Sequence, residues 1–488
     1  MPDSISARLR DASLFREQAF IAGQWSSGAS TFDVEDPATG AVIARVANLG
    51  PDEAERAIIA AEDAFPGWRD RPAKERAQLM RRWFELLMEH KEDLAALMTL
   101  EQGKPLSESR GEVAYGASFI EWFGEEAKRV YGDVIPSPAN DRRLVVIRQA
   151  IGVCAAITPW NFPIAMITRK VSPTMAAGCT IVVKPAEQTP LCALAMAELA
   201  RRAGIPDGVF NVVTADGRNS IEVGKTLCAS HRVRHLSFTG STEVGRILMA
   251  QCAPTVKKLA MELGGHAPFL VFDDADVDAA VDGAMVSKYR NAGQTCVCTN
   301  RFLVQEGVYD AFLQRLAARS AALKVGNGFE PGVEQGPLID DVAIAKVRRH
   351  IDDATGKGAR IVTGGKVRDG RFVEPTVLEG VTNDMLITQE ETFGPVAAVM
   401  KFRDEAEGIR VANDTPYGLA AYFYSRDIGR VWRVAEALEY GMVGINAGLI
   451  SYETVPFGGV KQSGFGREGS RYGIDEYIEM KYLCMAGM

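Results

Sequence analysis

The sequence predicts an α/β protein with two Rossmann-like domains, each built on a parallel β-sheet that helices cover on both faces, plus a small β element. Its 488 residues are too many for one hydrophobic core. After residue 151, apolar runs of strand length alternate with segments of helical periodicity, and a second alternation begins after Gly265. Because a βαβ rhythm requires crossover helices on a parallel sheet, these stretches indicate two sheets.

The residues before this alternation are predicted to form long helices. Segment 51–53 contributes a proline and two acids, which suit the first turn of a helix. Apolar residues then recur at helical spacing across 52–130. Residues 136–141 are predicted to form a turn or linker, and residues 143–148 a strand.

The two alternating stretches define most of the remaining elements. In the first, we predict strands at 151–158, 179–184, 209–214 and 233–238, and helices at 164–177, 191–203 and from residue 241. In the second, we predict helices that include 276–289 and 308–323, and strands at 267–272, 301–304, 359–362, 396–402, 419–424 and 441–446. Residues 477–484 alternate like a strand and need a sheet to join, which another subunit could supply.

Composition excludes several classes of function. The net charge is −8 without a cluster of lysines and arginines, so no nucleic-acid partner is expected. No apolar run approaches the ~18 residues that a membrane span needs. The amino terminus lacks the apolar core of a signal peptide, and Asp3, Asp11 and Glu17 argue against a transit peptide, so we expect a cytoplasmic protein. The eight cysteines and five histidines show no metal-binding spacing, and no metal is expected.

Two residues have the chemistry needed to act covalently on a carbonyl. Cys296 follows the polar residues Gln294 and Thr295, so it does not lie in an apolar run where a cysteine would simply pack. Glu262 precedes two glycines, which permit a close approach of the backbone. A thiolate could attack the carbonyl and a carboxylate could later activate water.

The first alternating stretch also has the features of a nucleotide site. Its second strand ends at Lys184, and Glu187 is placed to accept hydrogen bonds from both hydroxyls of an adenosine ribose. The same carboxylate would repel a 2′-phosphate, which favours NAD over NADP. The first turn lacks the G-x-G-x-x-G fingerprint, but glycines in 238–245 open a helix that suits a pyrophosphate. Taken alone, 238–245 is equally consistent with a plain glycine turn.

A set of motifs in one order carries a family resemblance. The motifs are Pro159–Pro163, Lys184–Glu187, Phe238–Thr242, Glu262–Gly265, Gly293–Cys296, Glu390–Pro395, Pro456–Gly459 and Ser463–Arg467. Together they resemble the aldehyde dehydrogenase superfamily over essentially the whole chain from residue 20. The resemblance implies an NAD-binding domain (1–128 and 149–262), a catalytic domain (263–470), and oligomerisation strands (129–148 and 471–488) of a dimer or tetramer.

The resemblance also implies catalytic roles. Cys296 would be the nucleophile that forms a thiohemiacetal, and Glu262 would deprotonate the water that hydrolyses the resulting thioester. The side-chain amide of Asn161 would stabilise the oxyanion together with the backbone N–H of Cys296, and such a donor is typically worth ~3 kcal/mol. Without the resemblance, Asn161 would be interpreted as a helix cap.

Further residues are implied to hold the cofactor, NAD or NADP. Lys184 and Glu187 would bind the adenosine ribose, and Glu391 the nicotinamide ribose. The remaining implied contacts are with the pyrophosphate (Gly240 and Ser241), the nicotinamide ring (Phe393) and the cofactor channel (Trp160 and Leu263). The apolar members of this set could equally be core residues.

Three residues suggest an acidic substrate. Arg169, Arg290 and Ser451 could bind a carboxylate, because arginines offer forked donors that match it. Ile167–Lys170, Tyr289–Cys298 and Tyr472–Tyr477 resemble the succinate-semialdehyde dehydrogenases, in which the equivalents of these three residues hold the substrate carboxylate. Glutarate and 2-oxoglutarate semialdehyde stay open as alternative substrates, and surface arginines as the alternative interpretation.

Three other functions fit these residues less well. Glu262 argues against a CoA-acylating enzyme, which needs no hydrolysis, and Cys296 has no nearby histidine in sequence to make a cysteine hydrolase. A non-catalytic binding or structural protein is disfavoured by the intact catalytic set. Cys298 is a possible redox partner of Cys296, although a spectator thiol is the simpler interpretation; inactivation by peroxide that dithiothreitol cannot reverse would exclude the switch. His266 is expected to pack or to contact the rim of the active site.

Overall fold

The computed structural model describes residue 5 and residues 8–368 and 370–487. It confirms the predicted α/β class, with two large and mainly parallel sheets covered by helices. The strands are β1 (Ala19–Ile21), β2 (Gln24–Ser26), β3 (Ser30–Glu35), β4 (Val42–Asn48), β5 (Asp133–Ile135), β6 (Arg142–Ala150), β7 (Val153–Ile157), β8 (Thr180–Lys184), β9 (Phe210–Val212), β10 (Val233–Thr239), β11 (Lys258–Glu262), β12 (Ala267–Val271), β13 (Thr299–Gln305), β14 (Arg360–Thr363), β15 (Thr376–Glu379), β16 (Val396–Phe402), β17 (Ala420–Tyr424), β18 (Met442–Ile445), β19 (Gly464–Phe465) and β20 (Ile478–Ala486). The α-helices are α1 (Pro51–Arg69), α2 (Ala73–Glu89), α3 (Lys91–Gln102), α4 (Leu106–Glu126), α5 (Ala165–Ala177), α6 (Leu191–Arg202), α7 (Gly217–Ala229), α8 (Thr242–Cys252), α9 (Val277–Tyr289), α10 (Tyr309–Ala321), α11 (Asp341–Gly356), α12 (Glu405–Asn413) and α13 (Ile428–Ala437).

The first sheet has eight strands in the order β19-β11-β10-β7-β8-β9-β1-β2. Its five central strands are parallel, and the strands at both edges are antiparallel. Every residue of β8 is buried, as expected for a strand covered on both faces. The sequence prediction omitted β11, because only three apolar residues separate the charged residues Lys258 and Glu262.

The second sheet has seven strands in the order β14-β15-β16-β13-β12-β17-β18, all parallel except the edge strand β14. Its strands fall where the second alternation of the sequence predicted them, with β15 added. The chain then returns to the first sheet, because β19 pairs with the end of β11. The last part of the sequence therefore helps to build both halves of the molecule.

A third, three-stranded sheet contains the terminal strand that the sequence predicted. Strand β20 pairs antiparallel with β6 of the same chain, from Ile478 opposite Ala150 to Ala486 opposite Arg142. The expectation that another subunit supplies the host sheet is therefore wrong for this pairing. The host strand lies more than 300 residues earlier in the chain, and local periodicity carries no information about such a pairing.

The register of the first sheet brings several predicted site residues to one edge. Ile157 lies opposite both Lys184 and Phe238, and Thr239 lies opposite Glu262. These residues are at or next to the carboxyl ends of parallel strands, where ligands bind in open α/β sheets. In the second sheet, the loops before β12, β13 and β16 face the same cleft. No helix in the described part of the chain is long and apolar enough to cross a membrane.

Candidate active site

The cleft between the two sheets contains a cavity of about 400 Å³, within the range of small-molecule sites. Loops from both domains form its wall. Eight of the residues singled out from the sequence line it: Trp160, Asn161, Gly240, Ser241, Leu263, Cys296, Glu391 and Phe393. The fold therefore assembles into one cavity side chains that are far apart in the sequence.

The loop that leads to Cys296, the predicted nucleophile, has an unusual backbone conformation; it is called the nucleophile loop (residues 290–296). Asn291 and Ala292 have positive φ angles of 52° and 55°, and Gly293 follows with 74°. A Cβ on Gly293 would lie 2.3 Å from the carbonyl oxygen of Gly394, so only glycine fits there. Gln294 holds the loop, because its Oε1 accepts from the backbone N–H of Ile339 at 2.9 Å. Such strain persists only where the surrounding structure fixes it, which is common at functional sites.

The surroundings of Cys296 disfavour the thiolate form of its side chain. Burial raises the pKa of Cys296 to about 12, and the charges of Arg169 and Arg290 oppose this rise only in part. The negative charges of Glu391 and Glu262 also raise the pKa of Cys296. Because the thiolate is the reactive form of cysteine, this thiol would have to lose its proton to act as the predicted nucleophile.

Asn161 lies against the nucleophile loop. Its side chain is 4% exposed, and Nδ2 donates to the carbonyl oxygen of Gln294 at 3.1 Å. An amide nitrogen carries two hydrogens, so one remains to meet an oxyanion formed beside Cys296. The backbone carbonyl of Asn161 accepts from Lys104 Nζ at 2.8 Å and from Asn291 Nδ2 at 3.0 Å.

Glu262 is buried at the end of β11, with 3% of its surface exposed. Neither oxygen of its carboxylate has a hydrogen-bond partner among the described residues. Burial, and then the nearby carboxylate of Glu468, raise the pKa of Glu262 well above its ordinary value. A raised pKa favours the protonated form, and the group must be deprotonated before it can act as a base.

Sequence reasoning missed a charged cluster next to Glu262. Glu468 pairs with Arg169 Nε at 2.7 Å and with Lys170 Nζ. Lys170 Nζ also donates to Thr239 Oγ1 at 2.6 Å. All these charges are buried, so they require one another as counterions. The position of Glu468 directly after the Ser463–Arg467 motif was the one sequence feature that could have indicated this cluster.

The two glycines after Glu262 keep the two halves of the site together. A Cβ on Gly265 would lie 2.4 Å from the carbonyl oxygen of Cys296, and one on Gly264 would lie 3.2 Å from Glu391 Oε2. Glu391 Oε1 in turn accepts from the backbone N–H of Gly265 at 3.1 Å, and burial raises the pKa of Glu391 to about 7.

The walls of the cavity suit a flat ring and a dinucleotide. Trp160 and Phe393 meet edge to face with their centroids 5.6 Å apart, and Phe393 takes a positive φ of 54°. Ser241 caps α8, accepting from the N–H of Val244 at 3.3 Å, so the amino end of the helix lies beside the cavity.

The predicted ribose pair lies at the carboxyl end of β8. Lys184 Nζ is 3.2 Å from Glu187 Oε2, and burial lowers the pKa of Lys184. Glu187 Oε1 would be 3.6 Å from a Cβ on Gly217, the first residue of α7, which is an ordinary van der Waals distance. These residues fit an adenosine group, because Glu187 offers hydrogen-bond acceptors and Lys184 offers a donor beside the first turn of α7.

A second cavity of about 310 Å³ contains two of the three predicted carboxylate-binding residues. Arg290 and Ser451 line it together with Tyr115, Phe162 and Tyr452. The Arg290 guanidinium lies 5.3 Å from the ring centroid of Phe162, which directly follows Asn161. The hydroxyl of Tyr115 is buried and has no hydrogen-bond partner in the described ranges.

Arg169 does not line this second cavity. It is 1% exposed, lies 3.7 Å from the centroid of the Phe457 ring, and already has Glu468 as a counterion. Its Nη2 atom nevertheless has no hydrogen-bond partner among the residues described. Of the three predicted residues, Arg290 and Ser451 therefore lie at the cavity wall, and Arg169 lies deeper in the protein.

Comparison with known proteins identifies the family. The model of the Aldehyde dehydrogenase family matches residues 25–483. The chain belongs to the aldehyde dehydrogenase family.

Its relatives share almost their full length with this aldehyde dehydrogenase. Glutarate-semialdehyde dehydrogenase of Pseudomonas aeruginosa is 61% identical, covering 99% of this chain and 100% of that protein. The NADP(+) succinate-semialdehyde dehydrogenase of Escherichia coli is 59% identical, covering 98% and 99%. The crystal structure of succinate-semialdehyde dehydrogenase from Burkholderia pseudomallei superposes with a TM-score of 0.97, at 62% identity over 98% of this chain and 99% of that one. The protein is therefore an NAD(P)-dependent oxidoreductase acting on an aldehyde.

Two residues near the site of this aldehyde dehydrogenase are not cavity residues. Cys298 is buried, its Sγ accepts from Lys288 Nζ at 3.3 Å, and burial raises the pKa of its thiol. His266 is also buried, with Nε2 2.8 Å from the carbonyl oxygen of Thr388, and burial lowers its pKa well below the ordinary value. These contacts favour a packing role for both, and a bridge from Cys298 to Cys296 stays a prediction. No group of His, Cys, Asp or Glu in the described residues could hold a metal ion.

Proposed function

We propose that this aldehyde dehydrogenase oxidises succinate semialdehyde to succinate, with NAD as the preferred cofactor. The observation that carries the proposal is the second cavity, where Arg290 and Ser451 can hold a carboxylate beside the nucleophile loop. Glutarate semialdehyde is the alternative substrate, because a relative that is 61% identical is named glutarate-semialdehyde dehydrogenase. One extra methylene changes binding by only ~1–3 kcal/mol, so activity on both substrates is expected. 2-Oxoglutarate semialdehyde remains a third candidate.

The proposed chemistry proceeds in two stages. In the first, Sγ of Cys296 bonds to the aldehyde carbon as the thiol proton passes to solvent, and Asn161 Nδ2 donates to the oxyanion. NAD(P), when bound, supplies a hydride acceptor, and loss of hydride leaves a thioester on Cys296. In the second stage, Glu262 takes a proton from water, the water oxygen bonds to the acyl carbon, and the carbon–sulfur bond breaks to release the acid.

The residues that would hold the cofactor follow from the first cavity and its edge. We infer that Lys184 and Glu187 bind the adenosine ribose, and Glu391 the nicotinamide ribose. The other proposed contacts are Gly240 and Ser241 with the pyrophosphate, Phe393 with the nicotinamide ring, and Trp160 and Leu263 along the channel. Glu187 supports NAD, because its carboxylate would repel the 2′-phosphate of NADP.

An assay of the purified protein tests this function directly. Succinate semialdehyde with NAD is expected to produce the absorbance of the reduced nicotinamide, with a higher kcat/KM than with NADP. Absence of any signal with succinate, glutarate and 2-oxoglutarate semialdehydes would contradict the proposed substrate class. A higher kcat/KM with NADP would contradict the role of Glu187 and leave the rest of the proposal standing.

Replacing Arg290 with glutamine is expected to raise KM for succinate semialdehyde about 10- to 100-fold, because a hydrogen bond to a charged group is worth ~1.5–3 kcal/mol. Butanal, a neutral aldehyde of the same length, should show almost no change. Arg319→Gln is the matched control, since Arg319 pairs with Asp282 at 2.6 Å on the surface. Equal losses with the acidic and the neutral aldehyde would remove the carboxylate-binding role of Arg290.

We also propose that the protein assembles into a dimer or tetramer. Strand β20 exposes Met480 and Tyr482, which are 74% and 58% exposed, and α8 exposes Val244 and Ile247. Exposed apolar residues on a strand edge and on a helix face are typical of subunit contacts. Light scattering of the purified protein should give a mass of two or four chains, and a monomer at micromolar concentration would contradict the proposal.

A further inference from the structure

We propose that Lys104 and Glu112 are positioning residues for aldehyde oxidation, acting by holding Asn161 in place against the nucleophile loop. Both side chains lie outside the motifs that the sequence singled out. Neither needs to contact the reacting atoms for this role. The inference rests on the proposed function of Asn161 as the oxyanion donor.

Lys104 is a buried cation with a full set of contacts. It is 2% exposed. Its Nζ donates to Glu112 Oε2 at 2.5 Å and to the carbonyl oxygen of Asn161 at 2.8 Å, and it lies 4.0 Å from the centroid of the Phe162 ring. A buried ammonium group is costly to desolvate, so its retention at this position requires a strong partner or a function. The bond to Asn161 provides a function, because it fixes the backbone of the residue that carries the oxyanion donor.

Glu112 fixes the other side of the same loop. Its Oε1 accepts from the backbone N–H groups of Ile164 and Ala165, at 3.0 Å and 3.3 Å, where α5 begins. Its Oε2 accepts from Lys104. The Glu112 carboxylate therefore ties the start of α5 to the ammonium that holds Asn161. Only two residues, Phe162 and Pro163, separate Asn161 from Ile164.

The same carbonyl oxygen connects the two domains. Asn291 Nδ2 donates to the carbonyl of Asn161 at 3.0 Å, and the backbone N–H of Asn291 donates to Glu108 Oε2 at 2.8 Å. Glu108 belongs to α4, as Glu112 does, whereas Asn291 belongs to the strained loop that precedes Cys296. Helix α4 therefore holds both the oxyanion donor and the nucleophile loop. Since a misplacement of about 1 Å can cost about 100-fold in rate, this double attachment bears on catalysis.

A competing interpretation is that Lys104 contacts the substrate. Lys104 and Glu112 both border the cavity that contains Arg290 and Ser451. If Lys104 bound the substrate carboxylate, its removal would raise KM for succinate semialdehyde and spare butanal. If it positions Asn161, its removal should lower the rate of reduced-cofactor formation for both aldehydes and leave KM nearly unchanged. The comparison of the two aldehydes therefore separates the interpretations.

The test is a double-mutant cycle between Lys104→Met and Asn161→Ala, measured as the single-turnover rate of reduced-nicotinamide formation. Asn161→Ala alone is expected to lower this rate by about 10²- to 10³-fold. Lys104→Met alone should lower it about 10- to 100-fold. In the Asn161→Ala background, Lys104→Met should have little further effect, because the group it positions is gone. Multiplicative losses in the double variant would overturn the inference.

A second variant distinguishes a positioning role of Lys104 from a contribution to protein stability alone. Lys104→Met leaves the Glu112 carboxylate buried and unpaired, so that variant is expected to melt at a lower temperature. Lys104→Met combined with Glu112→Gln removes both charges, and Oε1 of the glutamine can still accept from α5. This double variant should regain much of the melting temperature but not the rate, because the carbonyl of Asn161 still lacks its bond from Lys104. Recovery of the rate together with stability would mean that Lys104 is merely structural.

Lys257→Met is the matched control for a buried lysine. Lys257 Nζ donates only to backbone carbonyls, those of Leu227, Ser230 and Val233, at the opposite end of β11 from Glu262. It should lower stability without changing the single-turnover rate. If Asn161→Ala retains the full rate, the oxyanion role of Asn161 fails and the positioning inference fails with it. Aldehyde oxidation itself would still stand in that outcome, so the two failures are distinguishable.

Discussion

Replacing Cys296 with serine should lower the rate of aldehyde oxidation by at least about 10³-fold, because the step that forms the covalent intermediate loses its nucleophile. A serine hydroxyl is far less nucleophilic, and no histidine among the described residues lines the cavity to activate it. The measurement is formation of the reduced nicotinamide from succinate semialdehyde. Cys484→Ser is the control, since Cys484 is exposed near the end of the chain and should keep full activity. Retention of more than a tenth of the activity in Cys296→Ser would contradict the assignment.

The raised pKa of Cys296 adds a pH dependence to this prediction. Because the thiol titrates at about 12, the reactive thiolate is scarce at neutral pH and its fraction rises as pH increases. Alkylation of Cys296 by iodoacetamide should therefore accelerate about tenfold per pH unit from neutral pH upwards. Peptide mass spectrometry after timed labelling would measure it. A rate that reaches its plateau below pH 9 would show that the environment does not disfavour the thiolate.

Replacing Glu262 with glutamine is expected to separate the two stages of the reaction. Glutamine keeps the shape of the side chain but cannot take a proton from water, so thioester hydrolysis should slow by about 10²- to 10⁴-fold. The first turnover does not need this base, so a burst of reduced cofactor equal to one per active site should remain. Rapid mixing measures the burst, and intact-protein mass spectrometry should detect the acyl group on Cys296.

A control variant and the pH dependence of kcat test the same role of Glu262. Glu222→Gln, at an exposed residue that pairs with Lys225, should leave both phases unchanged. Because the pKa of Glu262 is raised, its base form becomes more abundant as pH rises, and steady-state kcat should increase with pH in the native protein. Glu262→Gln should lose that increase. A variant that loses the burst together with the steady state would contradict the role of Glu262 in the second stage.

Much of this site could be predicted because its residues carry local signals. Trp160, Lys184 and Gly240 follow or end apolar runs, and parallel strands bring such positions to one edge of a sheet. Glu262 was singled out by the two glycines that follow it. The glycines beside Cys296 likewise mark places where backbone must approach closely. The α/β fold class was predicted from the alternation of apolar runs of strand length with helical segments.

The remainder could not be predicted, because it depends on partners that local sequence does not reveal. Lys170 and Glu468 meet across 298 residues, and neither periodicity nor a turn signal relates them. Arg169 was singled out as a forked donor, but its buried counterion Glu468 could be found only in three dimensions. Lys104 lies in none of the sequence motifs, and its bond to Asn161 spans 57 residues.

The return of the chain to the first sheet has a consequence for biosynthesis. A ribosome makes Arg169 and Lys170 long before it makes Glu468, the carboxylate that compensates their buried charges. Until the last part of the chain emerges, the first domain lacks its edge strand β19 and holds two cations without their counterion. Packing around Glu262 is therefore completed only once residues 464–468 have emerged, near the end of translation.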